Sequence, residues 1–204
     1  MSTELARRLG YRRIDTGAMY RALAWSVAQA GLAPDDTTEL RKHLEGIDVT
    51  LDGERVLVNG RDVTAEIRTP AISALTSRLT MLASIRAKVT PLQRRLAAVG
   101  GVVLEGRDTG TVVCPDADVK FYLDASDEER ARRRQSELVA RGVTMTLPAV
   151  LEDIRIRDVQ DKTRALAPLR MAEDAIPIDT TGLTASEVVE RMVREIEQRC
   201  CTRS

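Results

Sequence analysis

The chain has 204 residues, of which 43% are hydrophobic, and its formal net charge is +0. This length supports one compact domain with a small insert, and no apolar run approaches the ~18 residues that a membrane span needs. Because the net charge is zero, the protein has no overall positive electrostatic field that would attract nucleic acid. The 2% aromatic content leaves few rings on which bases could stack. One histidine and the absence of a C-x-x-C pair among Cys114, Cys200 and Cys201 argue against a zinc site or a His-activated nucleophile. The first residues lack a signal-peptide core. We therefore expect a soluble cytoplasmic protein, with neither nucleic acid nor a membrane as its partner.

Arginine dominates the positive charge. Only Lys42, Lys88, Lys120 and Lys162 are lysines among the 31 basic residues. The guanidinium presents a planar fork of donors that matches phosphate oxygens. Codon bias in a GC-rich genome explains the overall excess equally well, but it does not explain where individual arginines lie.

The first half of the chain predicts helices, one strand and a small antiparallel meander. A short helix ends at Gly10, a strand covers 11–15, and helices follow over 16–31 and 38–44. Residues 48–63 then alternate apolar and polar, with Asp52-Gly53 and Asn59-Gly60 as tight turns, which is typical of a meander.

The second half predicts helices alternating with buried strands. Thr69-Pro70 starts a helix, and a helical stripe over 85–99 contains Pro91, where we expect a kink or a restart. Continuous apolar runs at 102–104 and 119–123 are typical of parallel strands buried on both faces. Further predictions are capping boxes at 126–129 and 184–187, a helix over about 148–157, a strand over 175–178 and a last helix.

The fold class is therefore α/β, with a parallel sheet flanked by helices and a small β-rich insert at about residues 40–83.

Four polar groups stand out against this background. The first, 15–21, reads D-T-G-A-M-Y-R at a strand end, where parallel sheets and helix N-termini bind anions. The second, 105–111, reads E-G-R-D-T-G-T after a buried strand and fits phosphate and Mg²⁺ chemistry. The remaining two are Arg157, Asp161 and Arg164 on one helical face, and the R-A-R-R-R run at 130–134. An ordinary turn, a solvated salt bridge or a solvated helix face remains the alternative for the first, third and fourth groups.

Taken in order, these segments resemble bacterial cytidylate kinase. The resemblance rests on D-T-G-A-M-Y-R at 15–21, E-I-R-T at 66–69, E-G-R-D-T-G-T-V-V at 105–113, and 161–164 before A-P-L at 167–169, and it runs over essentially the whole chain. It implies a P-loop nucleoside monophosphate kinase fold with a core at 1–39 and 84–204. It also implies a monophosphate-binding insert at 40–83 and a lid near 131–142.

The resemblance further implies phosphoryl transfer from ATP to CMP and dCMP by a monomer, with Mg²⁺ accompanying the nucleotide and no metal site of the protein's own. Residues that look like cytosine-side and nearby sugar contacts are Thr16, Ser77, Arg86 and Asp108. Residues that look like CMP phosphate ligands are Arg21, Arg107 and Arg164, with Arg157 and Asp161 near the sugar and phosphate. Residues that look like ATP and transition-state clamps are Arg130, Arg133 and Arg134. The residues that the resemblance implies to be catalytic are Arg107, Arg133, Arg134 and Arg157. Such a set suits phosphoryl transfer, which needs positioning and charge neutralisation more than a nucleophilic side chain.

The family's phosphate-binding loop, G-x-x-G-x-G-K-[SG]-T after a first strand, is absent from the sequence, and the spacing would place its last threonine just upstream of Met1. We therefore expect the first strand and the loop to be missing, and the chain to be unstable and inactive towards ATP. One interpretation is a start codon read too far downstream or a shortened chain. The other is a relative that binds CMP without catalysis.

Two further hypotheses compete with a CMP kinase. An arginine-rich RNA-binding protein is disfavoured by the neutral charge and the few aromatic residues. A kinase for another nucleoside monophosphate is disfavoured by the base-side residues and the β-rich insert.

Overall fold

A computed structural model describes residues 1–140 and 142–201, without the side chains of residues 200 and 201. Residue 141 of the predicted lid and the side chains of Cys200 and Cys201 therefore lie outside the described part of the chain. The elements in order are α1 Ser2–Leu9, β1 Arg12–Asp15, α2 Thr16–Gln29, α3 Thr38–Glu45, β2 Val49–Asp52, β3 Arg55–Val58, β4 Arg61–Asp62, a 3₁₀ turn Glu66–Arg68, α4 Pro70–Leu79, α5 Ala83–Ala97, β5 Val102–Glu105, a π-helical turn Thr109–Val113, β6 Phe121–Asp124, α6 Asp127–Val139, α7 Leu147–Thr163, β7 Ile176–Asp179 and α8 Ala185–Cys201.

Helix ends follow the local rules that the sequence predicted. Gly10 ends α1 in the left-handed region, with φ of 67°. The Thr69 hydroxyl accepts from the backbone N–H of Ile72 to cap α4. The second capping box is complete, because Glu187 N–H donates to Thr184 Oγ1 and Thr184 N–H donates to Glu187 Oε2.

Two helices differ from their predicted form. Helix α7 continues to Thr163, well past the expected end near Arg157, so Asp161 lies on the helix itself. Helix α5 does not restart at Pro91. Ile85 and Val89 before the proline are buried, as is Gln93 after it, so packing holds both halves against one core despite the lost backbone hydrogen bond.

The sheet is divided, where the sequence predicted one parallel sheet. Strands β1 and β5 form one parallel pair and β6 and β7 another, while β2, β3 and β4 form the expected antiparallel meander. Among residues 1–140 and 142–201, no strand joins the two parallel pairs. The strands are also less buried than predicted. Strand β5 is only half-buried and Leu123 of β6 is exposed, because each strand has a single neighbouring strand. The mixed α/β class, with parallel strands flanked by helices, is confirmed.

Three apolar clusters hold the chain together. The largest joins α2 to the insert and includes Leu23, Leu40, Val56 and Ile67. A second joins Leu5 of α1 to β7 and α8, with Val103 and Phe121 packed against it, so one cluster supports strands from both parallel pairs. The third lies between α6 and α7. Helices α7 and α8 have 17 residues each and are rich in charge, and the search of the described helices for a membrane-spanning segment found no candidate.

Candidate functional site

The site is built where β1 and β5 end side by side. Their register pairs Asp15 with Glu105, so the first two polar groups meet at one edge. The Thr16 hydroxyl donates to the Glu105 carbonyl at 2.6 Å, which joins the start of α2 to the end of β5. Asp15 caps α2 by accepting from Ala18 N–H at 2.9 Å, and so the loop between β1 and α2 has a defined shape.

The close approach at this edge requires glycine at position 106. A Cβ atom there would lie 2.8 Å from Thr109 Cγ2 and closer still to Thr16 Oγ1. Any larger residue would push Thr16 away from the Glu105 carbonyl. The glycine in the second polar group is therefore a packing requirement of the site.

A buried ion pair forms the floor of the site. Arg86 Nη1 donates to Asp108 Oδ2 at 2.7 Å, and both side chains are at least 91% buried. Arg86 Nε also donates to the Thr80 carbonyl at 2.8 Å, which fixes the plane of the guanidinium. A charged pair in a dry position needs such hydrogen bonds to offset its loss of water.

A second network connects α7 to the loop after β5. Arg164 is buried and contacts Asp161 at 3.2 Å, the Ala167 carbonyl at 2.7 Å and, more distantly, Asp108 at 3.9 Å. Arg107 lies 3.3 Å from the other oxygen of Asp161. Asp161 therefore aligns one buried and one exposed arginine beside the ion pair of Arg86 and Asp108.

Positive charge exceeds negative charge on the open side of these networks. The side chain of Arg157 reaches solvent, yet the protein atoms around it lower its pKa, and the charge of Arg107 lowers it further. Arg134 and Arg21 act on the Arg157 pKa in the same direction, and Asp161 opposes them. Burial likewise lowers the pKa of Arg21, although Asp15 lies 2.8 Å away. Arg21, Arg107 and Arg134 each have a carboxylate partner, whereas Arg157 forms no ion pair within the described part of the chain. An unpaired guanidinium near other arginines favours a bound anion.

The predicted lid arginines do not all join this group. Arg133 is held by Glu129, by the Thr180 hydroxyl and carbonyl, and by the Leu183 carbonyl. Arg130 forms ion pairs with Asp127 and Asp158. Arg134 contacts Glu137 at 3.1 Å. Among the three lid arginines, it is the one whose charge lowers the pKa of Arg157.

Ser77 lies on α4, one turn before Thr80, whose carbonyl accepts a hydrogen bond from Arg86. Its hydroxyl donates to the Ser73 carbonyl at 3.3 Å, and its carbonyl accepts from Thr80 Oγ1 at 3.0 Å. Ser77 is therefore linked to Arg86 through Thr80.

Two residues near the site were missed by sequence reasoning. Tyr20 is buried with its ring centroid 5.8 Å from Arg86 Cζ, and burial raises its pKa. Gln93 is fully buried and donates to the Thr16 carbonyl at 3.3 Å. Tyr20 lies within the first polar group and could have been found there. Gln93 lies on a helical stripe, where nothing local distinguishes it.

The arrangement can bind a phosphorylated ligand and neutralise its charge. The described residues hold no group of three histidine, cysteine or acidic side chains suited to a metal ion.

Comparisons with known proteins agree with this chemistry. The family model described as cytidylate kinase matches residues 1–198. The chain is 53% identical over 199 residues to the cytidylate kinase of Geobacter sp. (strain M21), covering 96% of this chain and 85% of that protein. It is 46% identical over 203 residues to the cytidylate kinase of Syntrophotalea carbinolica, with 98% and 86% covered. It is 44% identical over 199 residues to that of Carboxydothermus hydrogenoformans, with 96% and 90% covered. The chain is therefore a transferase of the cytidylate kinase family.

Proposed function

We propose that this protein transfers the γ-phosphoryl group of ATP to CMP and dCMP, giving ADP with CDP or dCDP. The observation that carries the proposal is the pair of arginines at positions 107 and 164, both in contact with Asp161, beside the buried pair of Arg86 and Asp108. An oxygen of the CMP phosphate attacks the γ-phosphorus, and the bridging oxygen leaves with ADP. Charge accumulates on phosphate oxygens in this reaction, and placed arginines neutralise it.

Cytosine would bind over the ion pair. Asp108 and the Thr16 oxygen can accept from the N4 amino group, and Arg86 can donate to the ring acceptors. Ser77 would face the same end of the nucleotide from α4. Uracil has an oxygen in place of the amino group, so it would leave buried acceptors unpaired.

The monophosphate would lie among the arginines. Arg21, Arg107 and Arg164 would hold its oxygens, with Arg157 and Asp161 at the sugar and phosphate. The network around Asp161 supports this assignment, because Asp161 contacts both Arg107 and Arg164. Preorganised donors of this kind lower the cost of reorganisation during transfer.

ATP would approach from the lid. In our proposal residues 131–142 move and Arg130, Arg133 and Arg134 close over its phosphates, with Mg²⁺ bound to the nucleotide. Arg130 and Arg133 would have to leave their present partners to do so. The insert at 40–83 would close over CMP from the other side of the core at 1–39 and 84–204. We further propose that the protein acts as a cytoplasmic monomer.

We also propose that the 204-residue polypeptide by itself turns over ATP slowly. No loop of the G-x-x-G-x-G-K-[SG]-T type is present in this sequence to surround ATP phosphates with backbone N–H groups. The alternative is a protein that binds CMP without catalysis.

The test is ADP release with CMP, dCMP, UMP and AMP. It compares this polypeptide with a version extended upstream by a strand and a phosphate-binding loop. We expect the extended version to prefer CMP over UMP by roughly 10²-fold or more in kcat/KM. Equal values for UMP and CMP would contradict the assignment. CMP binding by calorimetry without turnover in the extended version would favour the non-catalytic alternative.

A further inference from the structure

Arg68 belongs to the E-I-R-T segment, which the residue roles above leave unused. It ends the 3₁₀ turn Glu66–Arg68, and its neighbour Ile67 is fully buried in the cluster shared by α2 and the insert. Thr69 caps α4 directly afterwards. Arg68 therefore lies between a buried residue that packs against α2 and the cap of α4.

The side chain of Arg68 lies on the cleft between the end of β1 and the hairpin of β2 and β3. Arg13 and Asp15 line the same cleft. Arg21 is close by, since it contacts Asp15 at 2.8 Å and since the charge of Arg68 lowers the Arg21 pKa. Two arginines, one from the core and one from the insert, thus lie near the Asp15 carboxylate, and Glu54 of the hairpin lines the same cleft.

That carboxylate is already shared. Asp15 caps α2, contacts Arg21 and lies 3.7 Å from Arg13. Glu105, the neighbouring acid, is paired with Arg13 at 2.7 Å. Within residues 1–140 and 142–201, the Arg68 side chain has no hydrogen bond or ion pair, and the buried Nε of Arg21 has no partner. Two guanidinium groups therefore have free donors beside a carboxylate that already has other partners.

We propose that Arg68 binds the phosphate of the nucleoside monophosphate together with Arg21, and that this shared anion couples the insert to the core. The inference rests on the proposed function, because it takes CMP as the ligand. Arg68 thus continues the arginine group of the site into the insert. A phosphate dianion between the two guanidinium groups would replace like-charge repulsion with charge-assisted hydrogen bonds.

The test is calorimetric titration of the 204-residue chain with CMP and with cytidine. We expect Arg68→Ala to weaken CMP binding by about 10- to 100-fold and to leave cytidine binding within twofold, because a charge-assisted hydrogen bond is lost and no base contact is. Arg68→Lys should recover part of the loss, since it keeps the charge without the fork. Arg41→Ala is the matched control. It removes the same charge from an exposed position on α3, and CMP affinity should not change.

A thermal unfolding scan without ligand shows whether Arg68→Ala weakens CMP binding directly or by destabilising the fold. Arg68→Ala should unfold at the same or a higher temperature than the parent, because it removes repulsion with Arg21. CMP affinity within threefold of the parent, an equal loss for cytidine, or a clear drop in the ligand-free unfolding temperature would each overturn the proposal. The affinities of the parent chain for CMP and for cytidine test the proposed function separately. If it binds CMP no more tightly than cytidine, the phosphate site itself fails and Arg68 fails with it.

Discussion

Arg86 and Asp108 are 22 positions apart in the chain, yet their side chains meet at 2.7 Å in the interior of the site. Each also contacts the surrounding structure: Arg86 donates to the Thr80 carbonyl, and Asp108 lies 3.9 Å from Arg164. The pair thus ties α5, the loop after β5 and the end of α7 to one point. It supplies a donor and an acceptor in fixed positions, which is what recognition of a nucleobase edge requires.

Removing one member of this pair should cost more than removing both. Asp108→Ala leaves the Arg86 charge buried without its carboxylate, and we expect a loss of about 3–5 kcal/mol in the free energy of unfolding. The double variant Arg86→Met with Asp108→Leu should lose less, because no unpaired charge remains. Urea unfolding of the parent, both single variants and the double variant measures the difference. A loss below about 1 kcal/mol for Asp108→Ala would mean that water already reaches the pair.

Gly106→Ala should disturb the site through sterics alone. Its Cβ would collide with Thr16 and Thr109, and we expect the free energy of unfolding to fall by about 1–3 kcal/mol and CMP binding to weaken. Gly46→Ala is the matched control: its φ is −83°, and the added Cβ would lie 3.7 Å from the nearest carbonyl oxygen. Gly46→Ala should leave stability unchanged or slightly raised. Equal effects of the two substitutions, measured by urea unfolding, would contradict the packing argument.

Arg107→Ala should affect catalysis without affecting folding. The Arg107 side chain is 56% exposed, so we expect its removal to leave the core intact. In the proposed function it also removes a placed charge from the phosphate site. In the version extended by the phosphate-binding loop we expect kcat/KM for CMP to fall by roughly 10²–10³. Arg107→Lys should restore little, because one ammonium cannot form two parallel hydrogen bonds. Arg95→Ala on α5 removes the same charge from an exposed position and serves as the control. Activity within about threefold of the parent would exclude Arg107 from the phosphate site.

Acid should weaken α1 in a defined pH window. Hydrogen bonds from Arg7 and then Arg8 lower the pKa of Glu4 to about 2. A carboxylate whose folded pKa lies below its unfolded value stabilises the fold above the unfolded value, and this contribution disappears as pH falls through the folded pKa. Thermal unfolding of the parent and of Glu4→Gln should therefore differ at pH 6 and converge between pH 4.5 and about 2. Glu45→Gln, at an exposed position on α3, is the control. A difference that persists unchanged at pH 2 would show that the hydrogen bonds to Arg7 and Arg8 do not depend on the charge.

The sequence by itself determined the features that depend on a few neighbouring residues. The left-handed end of α1 at Gly10, the caps at Thr69 and Thr184, and the turns at Asn59-Gly60 and Asp52-Gly53 all follow from local backbone geometry. The polar groups after β1 and β5 were also visible, because each follows directly on its strand. The resemblance to a known family added the expected roles of their residues, and the comparisons confirmed the family.

The tertiary structure decided which distant side chains meet. Only packing shows that Gln93 reaches the Thr16 carbonyl and that Arg68 shares a cleft with Asp15. It also shows that Arg133 is occupied by backbone carbonyls near Thr180. The division of the parallel strands into two pairs could not be predicted from the sequence either. Residues of both pairs pack against one apolar cluster, and composition alone does not show which strands form hydrogen bonds with each other. These contacts join segments far apart in the chain, and their energies depend on the assembled core rather than on the sequence around each residue.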